Sequence, residues 1–293
     1  MSSGSEPNPT PLARVARAVL PEPWLQRLRR WRAQRRDDAA GRELDRLKQQ
    51  VCATELDQVF DFPECRVMVN HAEVCFYLYQ DLFVHRIYHF DADKPNPRIL
   101  DAGSNNGMSI LYFKHVYPDA TVVGFEPDPI LYRYLQENIK LNQLNGIELH
   151  QVGLSGSEGE LEFHSDGLIG SSLLDRGDRS DDSWKTSRVP VVRMREFLSE
   201  PVDFMKMNIE GAEWDVINDC VDLLRNINEM VIEYHHLPEI PRTLHRILTV
   251  LHEQGFEYAV SDYGLPCCDS PRPPLRLEPD SRYFRHIYAR RMH

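Results

Sequence analysis

Residues 98–113 read RILDAGSNNGMSILYF. Arg98–Ala102 has the short apolar pattern of a strand, Gly103 to Gly107 is a glycine-bearing turn, and Ser109–Val116 carries the apolar spacing of a helix. A strand, a glycine turn and a helix start form the unit from which an open α/β sheet builds a ligand site. Ligands sit beyond the carboxyl ends of the strands, where glycines let the backbone approach and helix N–H groups point outward. The spacing here is G-x-x-x-G and lacks the G-x-G-x-x-G that brings a helix N-terminus against a pyrophosphate. A nucleoside ligand without pyrophosphate suits this loop better than a dinucleotide.

Downstream, apolar strand candidates recur at Thr121–Phe125, Ile147–Val152, Val202–Met207, Glu229–Glu233 and Glu257–Val260. Helical patterns separate most of them, at Pro129–Leu141, Glu213–Leu224 and Thr243–Gln254. Alternation of this kind predicts a mostly parallel, doubly wound sheet with helices on both faces. Two further strands, Leu161–His164 and Val189–Val192, flank a polar loop from Asp166 to Ser187 with Gly167, Gly170, Ser171 and Ser172, long enough to close over a ligand or to be a surface excursion.

Glu126 ends the second main strand, 25 residues after Asp101, where a carboxylate can accept hydrogen bonds from both hydroxyls of a ribose. Pro127 and Asp128 follow, and Pro129 suits the first position of a helix. Helix capping is the competing role for Glu126 and for Asp128.

Upstream, Glu73 to Phe90 has aromatic and aliphatic residues at mixed helical spacing and predicts one helix burying a wide face. The chain therefore divides into a basic, partly disordered extension (residues 1–50), a helical lead-in (51–97) and a catalytic domain (98–293). With 293 residues and 42% hydrophobic content, one large core with extensions is expected on a prior of roughly 100–200 residues per domain.

The net charge of −11 argues against general nucleic-acid binding, which needs a positive field to displace phosphate counterions. The first fifty residues are near +5 and the rest near −16. Leu12, Val15, Val19, Trp24, Leu25, Leu28 and Trp31, set among arginines, make a broken amphipathic helix that either packs on a protein or lies on an anionic membrane. Nothing approaches the roughly 18 apolar residues of a membrane span, and a cytoplasmic protein is expected. Cys52, Cys65, Cys75, Cys220, Cys267 and Cys268 show no C-x-x-C pair, and no metal site is expected. Pro266 to Pro274 reads as a rigid connection.

LDAGSNNGMSILYFK, VVGFEPDP, the pair VPVVRMREFL and VDFMKMNIEGAEWDVI, and VIEYHH together resemble the FkbM-type S-adenosylmethionine-dependent methyltransferases, over roughly residues 70 to 260. The resemblance implies a class I methyltransferase (Rossmann-like) fold whose seven-stranded sheet ends in a reversed strand, for which Phe284–Arg290 is the candidate. It also implies S-adenosyl-L-methionine as cofactor, held by Asp101, Gly103, Ser104, Asn105, Gly107, Glu126, Pro127, Asp128, Gly153 and Leu154. The acceptor it implies is a hydroxyl on a sugar, glycoconjugate or natural product. Asn208 is a departure, since the family usually has an aspartate there.

An alcohol acceptor needs a base to share its proton. Asn208, Glu210, Glu233, His235 and His236 lie at the ends of the fourth and fifth strands, and His235 or His236 is the preferred base because imidazole titrates near neutral pH. Adjacent residues on a strand face opposite ways, so at least one of the two histidines is expected to be surface or structural. Glu210 either acts on the acceptor or favours the positive end of the following helix. Glu213 belongs to that helix's first turn, and Lys206 is placed to pair with a carboxylate. Two alternatives from other classes are a nicotinamide-dependent oxidoreductase and a scaffold with a degenerate site. The sequence leaves the oligomeric state open.

Overall fold

The computed structural model describes residues 41–165, 185–236, 240–261 and 283–292. The chain divides after Ala53 into two units. In the first, residues 41–52 are helical. The second, Thr54–His293, carries the elements described next.

Strands β1 (Val59–Asp61) and β2 (Arg66–Met68) form an antiparallel pair ahead of helix α1 (Ala72–Tyr79). Then come β3 (Arg98–Ala102), α2 (Met108–Val116), β4 (Thr121–Phe125), α3 (Pro129–Leu141) and β5 (Ile147–His150). A separate small sheet contains β6 (Gly153–Ser155), β7 (Gly159–Ser165) and β8 (Lys185–Arg193), in the order β6-β8-β7. The chain returns through β9 (Val202–Met207), α4 (Glu213–Asp219), β10 (Ile227–His236), α5 (Leu244–Glu253), β11 (Phe256–Ser261) and β12 (Tyr283–Arg291).

Seven strands form the main sheet in the order β11-β12-β10-β9-β3-β4-β5. Strands β10, β9, β3, β4 and β5 run parallel, and β12 is inserted antiparallel between β10 and β11. From β3 the chain winds outward to β5, then restarts on the other side at β9, so the order reverses between β3 and β9. Parallel strands buried on both faces read as almost continuous apolar runs, which is why RILDA and TVVGF stand out in the sequence. On one face, Leu100, Ala102, Met205, Met207, Met230 and Ile232 share a core with Val216 and Ile217 of α4 and Ile247 and Leu251 of α5. On the other, Phe204 stacks on Phe90 (ring centroids 4.3 Å apart) and meets Phe113 of α2 edge-on at 5.6 Å. This is the class I methyltransferase fold, with helices on both faces and the expected reversed strand.

The helix expected over Glu73 to Phe90 is shorter. It ends at Tyr79, passes through a π-helical turn (Gln80–Val84) and leaves helical geometry at Arg86, where φ is 56°. The physical reason is tertiary: Tyr88 reaches Glu233 and Phe90 stacks on Phe204, which draws this segment down onto the sheet. The expected helix Glu213–Leu224 also divides, into α4 and a 3₁₀ segment (Val221–Asn226). Cys220 N–H is shared between the Val216 and Ile217 carbonyls there, a tightening common at helix ends. The third strand stops at His150 rather than Val152, and the next residues start β6 in the second sheet. The polar loop is cut short by β8 from Lys185; its residues 166–184 lie outside the described residues, as do the basic amphipathic segment and the Pro266–Pro274 connection with Cys267 and Cys268.

Candidate functional site

The rim of the site is the carboxyl end of β3, β4, β9 and β10. The turn after β3 is fastened to β4, since the Gly103 and Ser104 N–H groups both donate to the Phe125 carbonyl, at 3.0 and 2.8 Å. Gly103 has φ +84°, and a Cβ there would stand 1.9 Å from the Asn208 carbonyl oxygen. The loop can cross this close to the end of β9 only without a side chain. Gly107, at φ +89°, closes the turn by donating to the Ser104 carbonyl and starts α2. Ser104 is buried and donates to the Asp101 carbonyl, whereas Gly103 and Asn105 are half-buried.

Glu126 is 5% exposed and accepts two backbone hydrogen bonds, from Asn105 N–H to Oε2 (2.7 Å) and from Asp128 N–H to Oε1 (2.9 Å). Burial pushes its pKa up to about 7, against the lowering by those two N–H groups and by the Lys206 charge. Asp128 has the capping role: its Oδ1 accepts from Ile130 N–H (2.7 Å) and Leu131 N–H (3.1 Å), and Pro129 occupies the first position of α3. Pro127 links the two acids. Leu154 is buried in the core that also holds Phe125 and Met207, and Gly153 pairs with Val191 in the small sheet.

Four adjacent strands contribute a row of ionisable groups on one face, the buried Asp101 (β3), Lys206 (β9) and His286 (β12) and the part-buried Glu233 (β10). Register places Asp101 beside Lys206 and Glu233 beside His286. Lys206 Nζ lies 3.3 Å from Asp101 Oδ1 and donates to the Gly103 carbonyl, while Ser109 Oγ donates to Asp101 Oδ2 at 2.6 Å. Glu233 accepts from His286 Nε2 (2.6 Å), from the Tyr88 hydroxyl (3.2 Å) and from the Asn208 amide. Burial alone would raise its pKa, but the His286 bond and charge, with the charges of His235 and Lys206, hold it down at about 2. The Tyr88 hydroxyl is pushed well above 10 by burial and by the Glu233 and Asp101 charges, so it stays a donor.

His235 and His236 point to opposite faces of β10, as strand alternation requires. The His235 ring sits between two carboxylates, with Nδ1 2.9 Å from Glu213 Oε1 and Nε2 3.5 Å from Glu210 Oε2. Burial opposes its charge, yet Glu210, Glu213 and Glu233 raise its pKa to about 9. His235 is therefore an imidazolium at neutral pH. His236, 2% exposed, has its pKa lowered by burial and by the Arg242 charge. Glu210 holds a left-handed conformation (φ 54°) at the tip of the Asn208–Gly211 turn. Glu213 is 1% exposed, accepts from Gly211 N–H at 2.9 Å and is part of this cluster as well as of the helix. Asn208 closes the rim through its N–H, which donates to the Ala102 carbonyl at 2.9 Å.

Tyr88 and His286 went unnoticed in the sequence. A buried His two places into an apolar terminal strand, HIYA, was the available signal for His286; Tyr88 was absorbed into the helical pattern. Among the described residues, no group of three or more His, Cys, Asp or Glu side chains could hold a metal ion, and no helix is long and apolar enough to cross a membrane.

A doubly wound sheet with a glycine-bearing turn after its first strand, an acid ending its second and a polar cluster on its fourth and fifth is the arrangement of the class I methyltransferase fold. The methyltransferase FkbM domain matches residues 101–258, and the chain belongs to that family. It is 28% identical over 210 residues to Methyltransferase 1 of Beauveria bassiana, covering 63% of this chain and 82% of that protein. Methyltransferase sdnD of Sordaria araneosa is 30% identical over 187 residues, with 52% and 72% covered. The 2-O-methyltransferase NoeI of Sinorhizobium fredii is 31% identical over 170 residues, with 52% and 69% covered. Family membership sets the chain among methyltransferases and apart from the nicotinamide oxidoreductases considered above.

Proposed function

We propose that this methyltransferase takes its methyl group from S-adenosylmethionine and passes it to a hydroxyl of a sugar, glycoconjugate or natural product. The observation that carries the cofactor reading is Glu126. Each of its oxygens accepts one backbone N–H, and the carboxylate keeps the capacity for two further donors, the number a ribose brings. The rest of the rim fits the same ligand. Gly103 and Asn105 provide backbone accessible beside Glu126, Asn208 Oδ1 is a buried acceptor with no hydrogen bond among the described residues, and Asp101 Oδ1 is ion-paired with Lys206. The name of NoeI, a 2-O-methyltransferase, supports an oxygen acceptor.

When bound, the cofactor supplies a methyl group on a positively charged sulfur, which is already a good leaving group, so positioning accounts for much of the rate. The chain's own part is to orient the acceptor and receive its proton. His235 is charged and occupied by two carboxylates, so it serves as the cation that holds Glu210 in place. Proton acceptance then falls to the Glu210 carboxylate, with Asn208 Oδ1 as an uncharged acceptor on a residue of the same turn. The amide at 208 also removes the repulsion that a second carboxylate would have with Glu233.

Thermal denaturation with S-adenosylmethionine, S-adenosylhomocysteine and NAD tests the cofactor, followed by tritium transfer from labelled S-adenosylmethionine to oligosaccharides. At a hundredfold excess over Kd a ligand stabilises by about 2.7 kcal/mol, a readily measured rise in Tm. Both adenosyl ligands are expected to raise Tm. Stabilisation by NAD alone would overturn the proposal.

A further inference from the structure

Beneath the loop lies a buried amide network that the family domain does not contain in full. Asn70 precedes α1, is 6% exposed and lies outside residues 101–258. Its Oδ1 accepts from Asn106 Nδ2 at 3.1 Å and from the Cys75 thiol at 3.2 Å. The orientation of both amides follows from the backbone. Met108 N–H donates to Asn106 Oδ1 (3.3 Å), so the other end of Asn106 must be its donor. Turning Asn70 over would set NH₂ against NH₂. Neighbouring Asn138 is satisfied at both ends, accepting from Met68 N–H (2.7 Å) and donating to the Asn106 carbonyl (2.8 Å).

What remains is Asn70 Nδ2, buried and without a hydrogen-bond partner among the described residues. A buried donor left unpaired inside an otherwise satisfied network is costly, and an acceptor brought by a ligand relieves that cost. Consecutive loop residues tie into two different walls, since Asn105 N–H goes to Glu126 and the Asn106 side chain goes to Asn70. Glu126 suits the ribose. The cofactor's anionic acceptor is the α-carboxylate at its amino-acid end.

We infer that Asn70 is a further binding residue, donating its side-chain amide to the carboxylate of the cofactor's amino-acid end, so that the segment ahead of the family domain completes the site. This rests on the S-adenosylmethionine reading given above. The proposal accounts for the tethering of the β2–α1 junction to the loop by a side chain that keeps a donor in hand.

Calorimetric titration of the full chain with S-adenosylmethionine and with its decarboxylated form tests it, because the two ligands differ only in the carboxylate. Asn70→Ala is expected to weaken S-adenosylmethionine about tenfold, the value of one hydrogen bond to a charged group, and to leave the decarboxylated ligand within about twofold. Asn70→Asp keeps the acceptor for Asn106 and Cys75, which guards against a folding defect. It places an anion against the carboxylate, so it should weaken S-adenosylmethionine more than alanine does and spare the decarboxylated ligand. Equal losses for both ligands would mean that Asn70 only braces the loop, and unchanged affinities would remove it from the site; either result overturns the inference. A wild-type chain that binds neither ligand would instead overturn the cofactor reading, and this inference with it.

Discussion

Replacing Glu126 by glutamine should make the chain's stability less dependent on pH, and the size of the effect follows from the structure. The carboxyl is 5% exposed, and burial raises its pKa from 4.5 to about 7. That rise corresponds to about 3 kcal/mol, since each pKa unit is worth about 1.4 kcal/mol. Because the folded value lies above the unfolded one, folding favours the protonated acid. The contribution is complete below pH 4.5 and is lost as the pH climbs through 7. Glutamine does not ionise and lacks this dependence. Its NH₂ would face one of the two backbone N–H groups now bonded to Glu126, a constant penalty of about 1–3 kcal/mol. Urea unfolding of both proteins between pH 5 and 8, followed by far-ultraviolet circular dichroism, separates the two effects. The constant penalty offsets the curves, whereas the titration makes the variant gain on the wild type by about 2–3 kcal/mol across the range. Parallel curves would refute the burial argument. Saturating ligand should flatten the wild-type dependence, since ribose hydroxyls donating to Glu126 favour its ionised form.

Two further outcomes are expected. Gly103→Ala puts a Cβ 1.9 Å from the Asn208 carbonyl at a positive φ, so the loop must move away from β9 and strain the Gly103 to Phe125 bond; we expect a loss of about 3 kcal/mol in urea unfolding, and an unchanged midpoint would show that the close approach is not obligatory. His235 has its folded pKa raised from 6.5 to about 9, so its stabilisation is fully present below pH 6.5 and disappears as the pH rises through 9; the His235→Gln variant should lack this decline of about 3 kcal/mol, and equal slopes for the two proteins would argue against the clasp by Glu210 and Glu213.

Much of the sheet was legible locally. Arg98–Ala102, Thr121–Phe125 and Val202–Met207 were bounded to the residue, because interior parallel strands are short apolar runs closed by turn chemistry. The end of the helix after Tyr79 was not legible, since its residues keep helical spacing and the interruption comes from contacts of Tyr88 and Phe90 with distant strands. Preference for a histidine base rested on the ordinary pKa of imidazole, which neighbouring carboxylates displace at His235.

Sequence by itself determined that Asp101 to Gly107 is a glycine turn at a strand end and that Glu126 ends the next strand, since spacing and residue type suffice for both. Only the tertiary structure decided that Asp101, Lys206, Glu233 and His286 form one row, and that Asn70 and Asn106, 36 residues apart, share a hydrogen bond. These neighbours are set by strand order and register, which depend on how the whole chain buries its apolar faces and are not encoded in any local pattern.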